Sequence, residues 1–178
     1  MHAINNNPVD IFGGCGRLKC AWNETHWISQ PECYDMIESN YKFYLSFENS
    51  ICPEYVTEKF FRILQLDLVP VVYGGADYSA IAPPHSYIDA RQYTPKELSK
   101  YLKKLQRDDN LYAEYFRWKK SYVVEAGVEQ MSRHAFCDLC KQLHQDQQMK
   151  IYEDIHEFFN IDHCYRPLFN FSSIPWSR

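Results

Sequence analysis

Residues 41–61 read YKFYLSFENSICPEYVTEKFF, and two periodicities meet in them. Phe43, Leu45 and Phe47 alternate with Lys42, Tyr44 and Ser46, which is the two-residue period of a strand with one face towards a core. Beyond the polar Glu48-Asn49-Ser50, Pro53 suits a first helical turn, and Tyr55, Val56, Phe60, Ile63 and Leu64 recur three and four apart, as on the buried face of a helix. The stretch therefore predicts a strand, a polar loop and a helix opening after Cys52-Pro53. In open α/β sheets ligands gather where strands end and helices begin, and unpaired N–H groups at a helix start favour an anion. Lys59 falls near that start. In this reading Tyr55 shares its helix face, while Glu58 is turned about 100° away and can address another group of the same ligand. A cation and a carboxylate so placed suit a phosphorylated sugar, with lysine on phosphate and glutamate on hydroxyls. Patterning alone is equally met by an amphipathic helix that carries Glu58 and Lys59 as solvated charges.

Downstream, residues 68–73 form a continuous apolar run, short enough for a buried parallel strand, and Gly74-Gly75 ends it. Strand, helix and strand in this span imply a right-handed βαβ crossover. Residues 86–89 read as another short strand. Thr94-Pro95-Lys96-Glu97 is a capping box with proline at the first helical position. Leu98, Tyr101, Leu102 and Leu105 supply that helix's apolar face, and Asp108-Asp109-Asn110 stops it before a second helix carrying Leu111, Tyr115 and Trp118. Upstream, Val9-Asp10-Ile11-Phe12 reads as a short strand closed by Gly13-Gly14-Cys15-Gly16, a turn without the lysine and spacing of a P-loop. Residues 20–30 read as a surface loop, residues 31–39 as a short helix, residues 149–159 as an amphipathic helix, and the remainder as an irregular tail.

Composition narrows the function classes. With 178 residues, 46% hydrophobic and 24% charged, the chain makes one globular domain or little more. A net charge of −4 and a pI near 6.0 argue against a nucleic-acid partner, which would need excess Lys and Arg. No apolar run approaches the ~20 residues of a membrane span, and residues 1–7 lack the basic start and apolar centre of a signal peptide. Seven cysteines, at positions 15, 20, 33, 52, 137, 140 and 164, together with sequons at Asn23 and Asn170, lean towards a secretory lumen. The odd number leaves one unpaired or bonded outside this chain. His134, Cys137, Cys140 and His144 have ligand types and spacing that suit zinc on paper. Phe136, Leu139 and Leu143 put the same segment on an amphipathic helix, whose residues cannot all turn inward on one metal. The sequence has no Asp-x-Asp pair, and Asp108-Asp109 reads as a solvated turn between helices.

The string FENS followed by YVTEK closely resembles the donor-binding motif of the α1,3-fucosyltransferases. VDIFGGCG at 9–16, with Cys20 and Cys33-Tyr34-Asp35-Met36 after it, is similar to the core-type enzymes of the insect kind, and residues 85–120 run with the family nearly without gaps. The resemblance covers about residues 8–144. It implies a Rossmann-like donor-binding domain of a GT-B-type glycosyltransferase, α/β in class, N-terminally incomplete over residues 1–130 and followed by a helical, cysteine-containing tail at 131–178. It further implies transfer of fucose from GDP-fucose to a glycan hydroxyl in α1,3 linkage with inversion, with Asn49, Tyr55, Glu58 and Lys59 on the donor. No metal or cofactor is implied beyond that donor substrate. The acceptor leans towards the N-glycan core. The catalytic base is expected in an acceptor-binding domain outside this sequence, so no catalytic residue is named. A membrane anchor, holding the full-length enzyme in the Golgi lumen, is likewise expected outside this chain. In the family a C-terminal Cys-x-x-Cys forms disulfides, which favours disulfide over zinc at Cys137 and Cys140. Two other readings stand beside this one: a non-catalytic nucleotide-sugar-binding remnant, and a zinc-stapled interaction domain. The chain departs from the family locally, with Ile63-Leu64-Gln65-Leu66-Asp67-Leu68 where an Asn-Ala pair usually follows Arg62.

Overall fold

The computed structural model describes residues 3–4, 7–12, 16–18, 31–145, 151, 153, 154 and 164. Strands β1 (Ala3–Ile4) and β2 (Asn7–Pro8) pair antiparallel at the start. Helix α1 (Pro31–Asn40) leads into β3 (Phe43–Phe47), α2 (Glu58–Gln65), β4 (Val69–Tyr73) and β5 (Ile88–Asp89). Helices α3 (Pro95–Arg107), α4 (Asp109–Ala113) and α5 (Val128–Gln145) follow. β3, β4 and β5 form a parallel sheet in that order, with Phe43 opposite Val69, Phe47 opposite Tyr73 and Val71 opposite Ile88.

The apolar run at 69–73 makes β4 the central strand because both of its faces are covered. Val69 and Val71 pack with Ile88, Leu98, Leu102, Leu105 and Tyr115 on one side. On the other, Val72 packs with Phe60, Leu64, Tyr78 and Trp118. Each such aliphatic or aromatic side chain contributes about 1.5–3 kcal/mol on burial, so the two layers hold the sheet rigidly between α3 and α2. Phe43, Leu45 and Phe47 lie against the first layer, as their alternation predicts. The opposite face of β3 is covered as well: Ser46 is fully buried and its hydroxyl donates to the Lys59 carbonyl at 2.7 Å, fastening α2 to the strand. The segment that departs from the family is absorbed at the end of α2, where Ile63 and Leu64 are buried and Lys119 Nζ donates to the Leu66 carbonyl at 2.6 Å. The capping box at Thr94 and Glu97 forms in full. Asp108 ends α3 and caps α4, accepting from the N–H groups of Asn110 and Leu111.

Several expectations are corrected. The helix expected after Pro53 starts at Glu58 instead. Glu54 turns the chain at φ 60°, and Thr57 is extended, donating its N–H to the Glu48 carboxylate. Val9–Phe12 is not a strand: only Phe12 bridges, to Leu18, and the segment and β3 line a common cleft of about 670 Å³. The strand at 86–89 shrinks to Ile88–Asp89, since the Ser86 hydroxyl turns back to the Pro83 carbonyl. The second helix passes from α4 into 3₁₀ geometry over Glu114–Lys120. At 149–159 the described residues Ile151, Glu153 and Asp154 are not helical; Ile151 is 77% exposed, and a helix without a surface for its apolar face gains little from forming. The expected loop at 20–30, the glycine turn at 13–15 and both sequons lie outside the described residues.

Cys52 is bonded to Cys164, and Cys33 is also disulfide-bonded. Cys137 and Cys140 are free and exposed on α5, so no bond among the described residues joins them. His134 Nε2 meets Glu125 Oε2 at 2.7 Å, and among the described residues no three His, Cys, Asp or Glu side chains group as a metal site.

Candidate functional site

Where β3 and β4 end, the Glu48 N–H donates to the Tyr73 carbonyl at 2.9 Å, which extends the ladder by one step and turns the Glu48 side chain inward. That side chain has no exposed surface. A bare buried carboxylate would be strongly disfavoured, but this one is answered from residues that return after the loop. Thr57 donates to it through its N–H at 2.9 Å and through its hydroxyl at 2.9 and 3.1 Å, and Lys59 Nζ stands 3.4 Å from Oε2. The same ammonium donates to Thr57 Oγ1 at 2.8 Å and to Asn49 Oδ1 at 3.4 Å, and lies 3.6 Å from Glu58 Oε1. The Tyr55 hydroxyl reaches the same Asn49 Oδ1 at 3.3 Å.

All four residues singled out in the sequence thus converge on one place, though not as expected. Tyr55 precedes α2 and shares no helix face with Lys59; the two meet through the Asn49 amide oxygen. Glu48 and Thr57 were not anticipated. A lone acid after a strand carries no periodic signal, and its partner sits nine residues further on, across a turn. The Lys59 side chain is 32% exposed and that of Glu58 64%, so the cluster has a sealed carboxylate beneath and an ammonium, an amide, a phenol and a second carboxylate towards solvent.

The ends of the other two strands close round this cluster. A Cβ on Gly74 would lie 2.4 Å from the Tyr78 hydroxyl and 3.2 Å from Glu48 Cγ, and one on Gly75 would lie 2.4 Å from the Cys52 carbonyl oxygen. Only glycine lets the sheet edge approach the loop so closely, and the Cys52–Cys164 bond anchors that loop from the other side. After β5, Arg91 grips the Asp89 carboxylate with Nε at 2.9 Å and Nη2 at 2.8 Å, while Nη1 donates to the Gly74 carbonyl at 3.0 Å. The Asp89 hydrogen bond pushes the Arg91 guanidinium above its usual range. Burial, and then the charge of Glu48, push the Tyr78 phenol up to about 12. The carboxyl edge of the sheet therefore carries Glu48 with Lys59, the glycine pair, and Asp89 with Arg91 in strand order, the place where ligands bind in open α/β sheets. An ammonium beside outward-facing polar groups at the start of α2 can take an anionic, hydroxyl-rich ligand.

Over residues 2–158 the chain matches the glycosyltransferase family 10 (fucosyltransferase) C-terminal domain. It is 45% identical over 137 residues to alpha-(1,3)-fucosyltransferase C of Drosophila melanogaster, covering 76% of this chain and 29% of that protein. To glycoprotein 3-alpha-L-fucosyltransferase A of the same organism it is 39% identical over 146 residues, 80% of this chain and 27% of the relative. Human GDP-fucose protein O-fucosyltransferase 3 is 38% identical over 118 residues, 62% of this chain and 24% of the relative. The chain thus spans less than a third of the length of each of these relatives.

Proposed function

The chain belongs to glycosyltransferase family 10, the fucosyltransferases, and we propose that its cluster of Asn49, Tyr55, Glu58 and Lys59 holds the donor GDP-fucose. The observation that carries this reading is the gathering of these residues round a one-third-exposed ammonium at the carboxyl edge of a parallel sheet, Asn49 and Glu58 directly and Tyr55 through the Asn49 amide oxygen. In this reading residues 1–130 are a Rossmann-like donor-binding unit of the GT-B kind, and residues 131–178 are its helical tail. The reaction is transfer of fucose to a glycan hydroxyl in α1,3 linkage with inversion at the sugar carbon.

Breaking the bond between fucose and the diphosphate leaves negative charge on the leaving group. Lys59, with the N–H groups at the start of α2, stabilises that charge more strongly as it grows. Glu58 offers its exposed oxygens to hydroxyls of the sugar, and Asn49 and Tyr55 complete the polar wall. The group that takes the acceptor's proton is not assigned to any residue here. The acceptor we propose is the N-glycan core of a glycoprotein; similarity to a relative named glycoprotein 3-alpha-L-fucosyltransferase A supports the glycoprotein part of that reading. A Golgi setting follows from the same reading; among the described residues no helix is long and apolar enough to cross a membrane.

Steady-state kinetics of an active enzyme containing this chain test the assignment. Lys59→Ala should chiefly lower kcat, because its contact strengthens in the transition state, whereas Glu58→Ala should first raise the donor KM, since sugar hydroxyls are present throughout. Hydrogen bonds to charged groups are worth about 1.5–3 kcal/mol, so each loss should be roughly tenfold to a hundredfold. Lys100→Ala, an exposed change on α3, should alter neither constant. Should both variants behave like Lys100→Ala, the donor site lies elsewhere.

A further inference from the structure

Among the described residues, the Tyr78 hydroxyl is the buried side-chain group without a hydrogen-bond partner. Tyr78 is 1% exposed, packed against the rings of Phe60 and Tyr87 at 5.2 and 5.6 Å, with the Arg91 guanidinium 5.5 Å from its own ring. A dry, unpaired hydroxyl destabilises a fold, and one that persists calls for a reason. Its surroundings supply one. The hydroxyl and Glu48 Cγ border the same small space over Gly74, at 2.4 and 3.2 Å from where a Cβ would stand. A tyrosine phenol is protonated at neutral pH, and burial only raises its pKa further, so the hydroxyl is a donor in the neighbourhood of a buried carboxylate.

Lys59 meanwhile is held by oxygens of its own chain, on Thr57, Glu48, Asn49 and Glu58. An anionic ligand that takes this ammonium draws it away from Glu48. That would leave a wholly buried carboxylate without its charge partner, an arrangement proteins strongly disfavour. We propose that Tyr78 is a positioning residue for ligand binding: as Lys59 turns to a ligand's diphosphate, the Tyr78 hydroxyl donates to Glu48, and the buried carboxylate exchanges an ammonium for a phenol. The exchange rests on the reading of the cluster as a diphosphate site. It fits the glycine at 74, where a Cβ would crowd the hydroxyl at 2.4 Å and Glu48 Cγ at 3.2 Å.

The exchange makes a prediction of unusual sign. Tyr78→Phe removes a hydroxyl that has no bond in the free protein, so the melting temperature should stay level or rise, yet GDP should bind roughly tenfold more weakly because the bound state loses a hydrogen bond to a charge. A hydroxyl with a merely structural role would do the reverse. Tyr101→Phe provides that contrast, because it breaks the 2.7 Å bond between the Tyr101 and Tyr115 hydroxyls; it should lower the melting temperature and leave GDP affinity alone. Calorimetric titration of the full chain with GDP, paired with thermal melts, reads both quantities. In a Glu48→Gln background, Tyr78→Phe should have little further effect on affinity, since the two changes act on one contact. The exchange is overturned if Tyr78→Phe binds GDP as the parent does, or weakens it only together with a loss of stability like that of Tyr101→Phe, or weakens it equally in both backgrounds. Lys59→Ala separates the two levels. If it weakens GDP binding while Tyr78→Phe does not, the exchange fails and the diphosphate site stands; if neither matters, or the parent chain does not bind GDP, both fall.

Discussion

Gly74 and Gly75 set how closely the sheet edge approaches the loop that carries the cluster. At Gly75 a Cβ would meet the carbonyl oxygen, carbonyl carbon and amide nitrogen of Cys52 at 2.4, 2.6 and 2.8 Å, all backbone atoms that cannot swing aside. At Gly74 the nearest obstacle is the end of one side chain, the Tyr78 hydroxyl. Both alanine substitutions should destabilise, by the roughly 1–3 kcal/mol of an overpacked site, with Gly75→Ala the worse of the two in urea unfolding. Equal and negligible effects would mean that the loop is looser than its packing indicates. The same pair bears on what the residues reveal before folding. Two glycines ending an apolar run read as a turn, which they are, but their contact with Cys52 and Tyr78 depends on where the chain returns. Asn49, Tyr55, Glu58 and Lys59 could be singled out as candidates because the short string that holds them resembles a family motif. Glu48 stands in it too and was passed over, for an acid at a strand end reads as the first residue of a loop until Thr57 comes back to cover it.

At the level of elements, α3 is the case where local signals suffice. Its capping box places Glu97 Oε2 at 2.8 Å from the Thr94 N–H and 2.7 Å from the Thr94 hydroxyl, and the hydroxyl's hydrogen bond is the chief cause that holds the Glu97 carboxyl below its usual range. A carboxyl depressed in the folded state adds stability that is present above its unfolded pKa and is lost as pH falls through its folded one. Thr94→Ala should therefore lower stability near neutral pH by the ~1 kcal/mol typical of an N-cap, and its deficit should shrink as the pH drops into the carboxylate range. A deficit that stays constant with pH would detach the cap from Glu97. Helix α2 is the opposite case. Its apolar spacing extends back to Tyr55 and Val56 in the sequence, but Thr57 is extended, with its N–H and hydroxyl on the Glu48 carboxylate, and the helix begins only after it.

For the molecule as a whole, the parallel sheet was legible from strand, helix and strand following one another at short spacing, with β3 and β4 in register from Phe43 and Val69 onward. Cysteine pairing was not, because spacing does not determine which of seven partners meet; the Cys52–Cys164 bond joins positions 112 residues apart. It ties the cluster's loop to the far end of the described chain, and closing so long a loop removes much entropy from the unfolded state. We propose that this tethered loop and the start of α2 form the donor site of a fucosyltransferase. A crystal structure of the chain with GDP-fucose tests it most directly. The diphosphate should lie against Lys59 Nζ, the fucose hydroxyls on Glu58, and the ammonium should be drawn off Glu48. Nucleotide bound instead in the cleft between residues 9–12 and β3, with Lys59 still resting on Thr57 and Glu48, would contradict it.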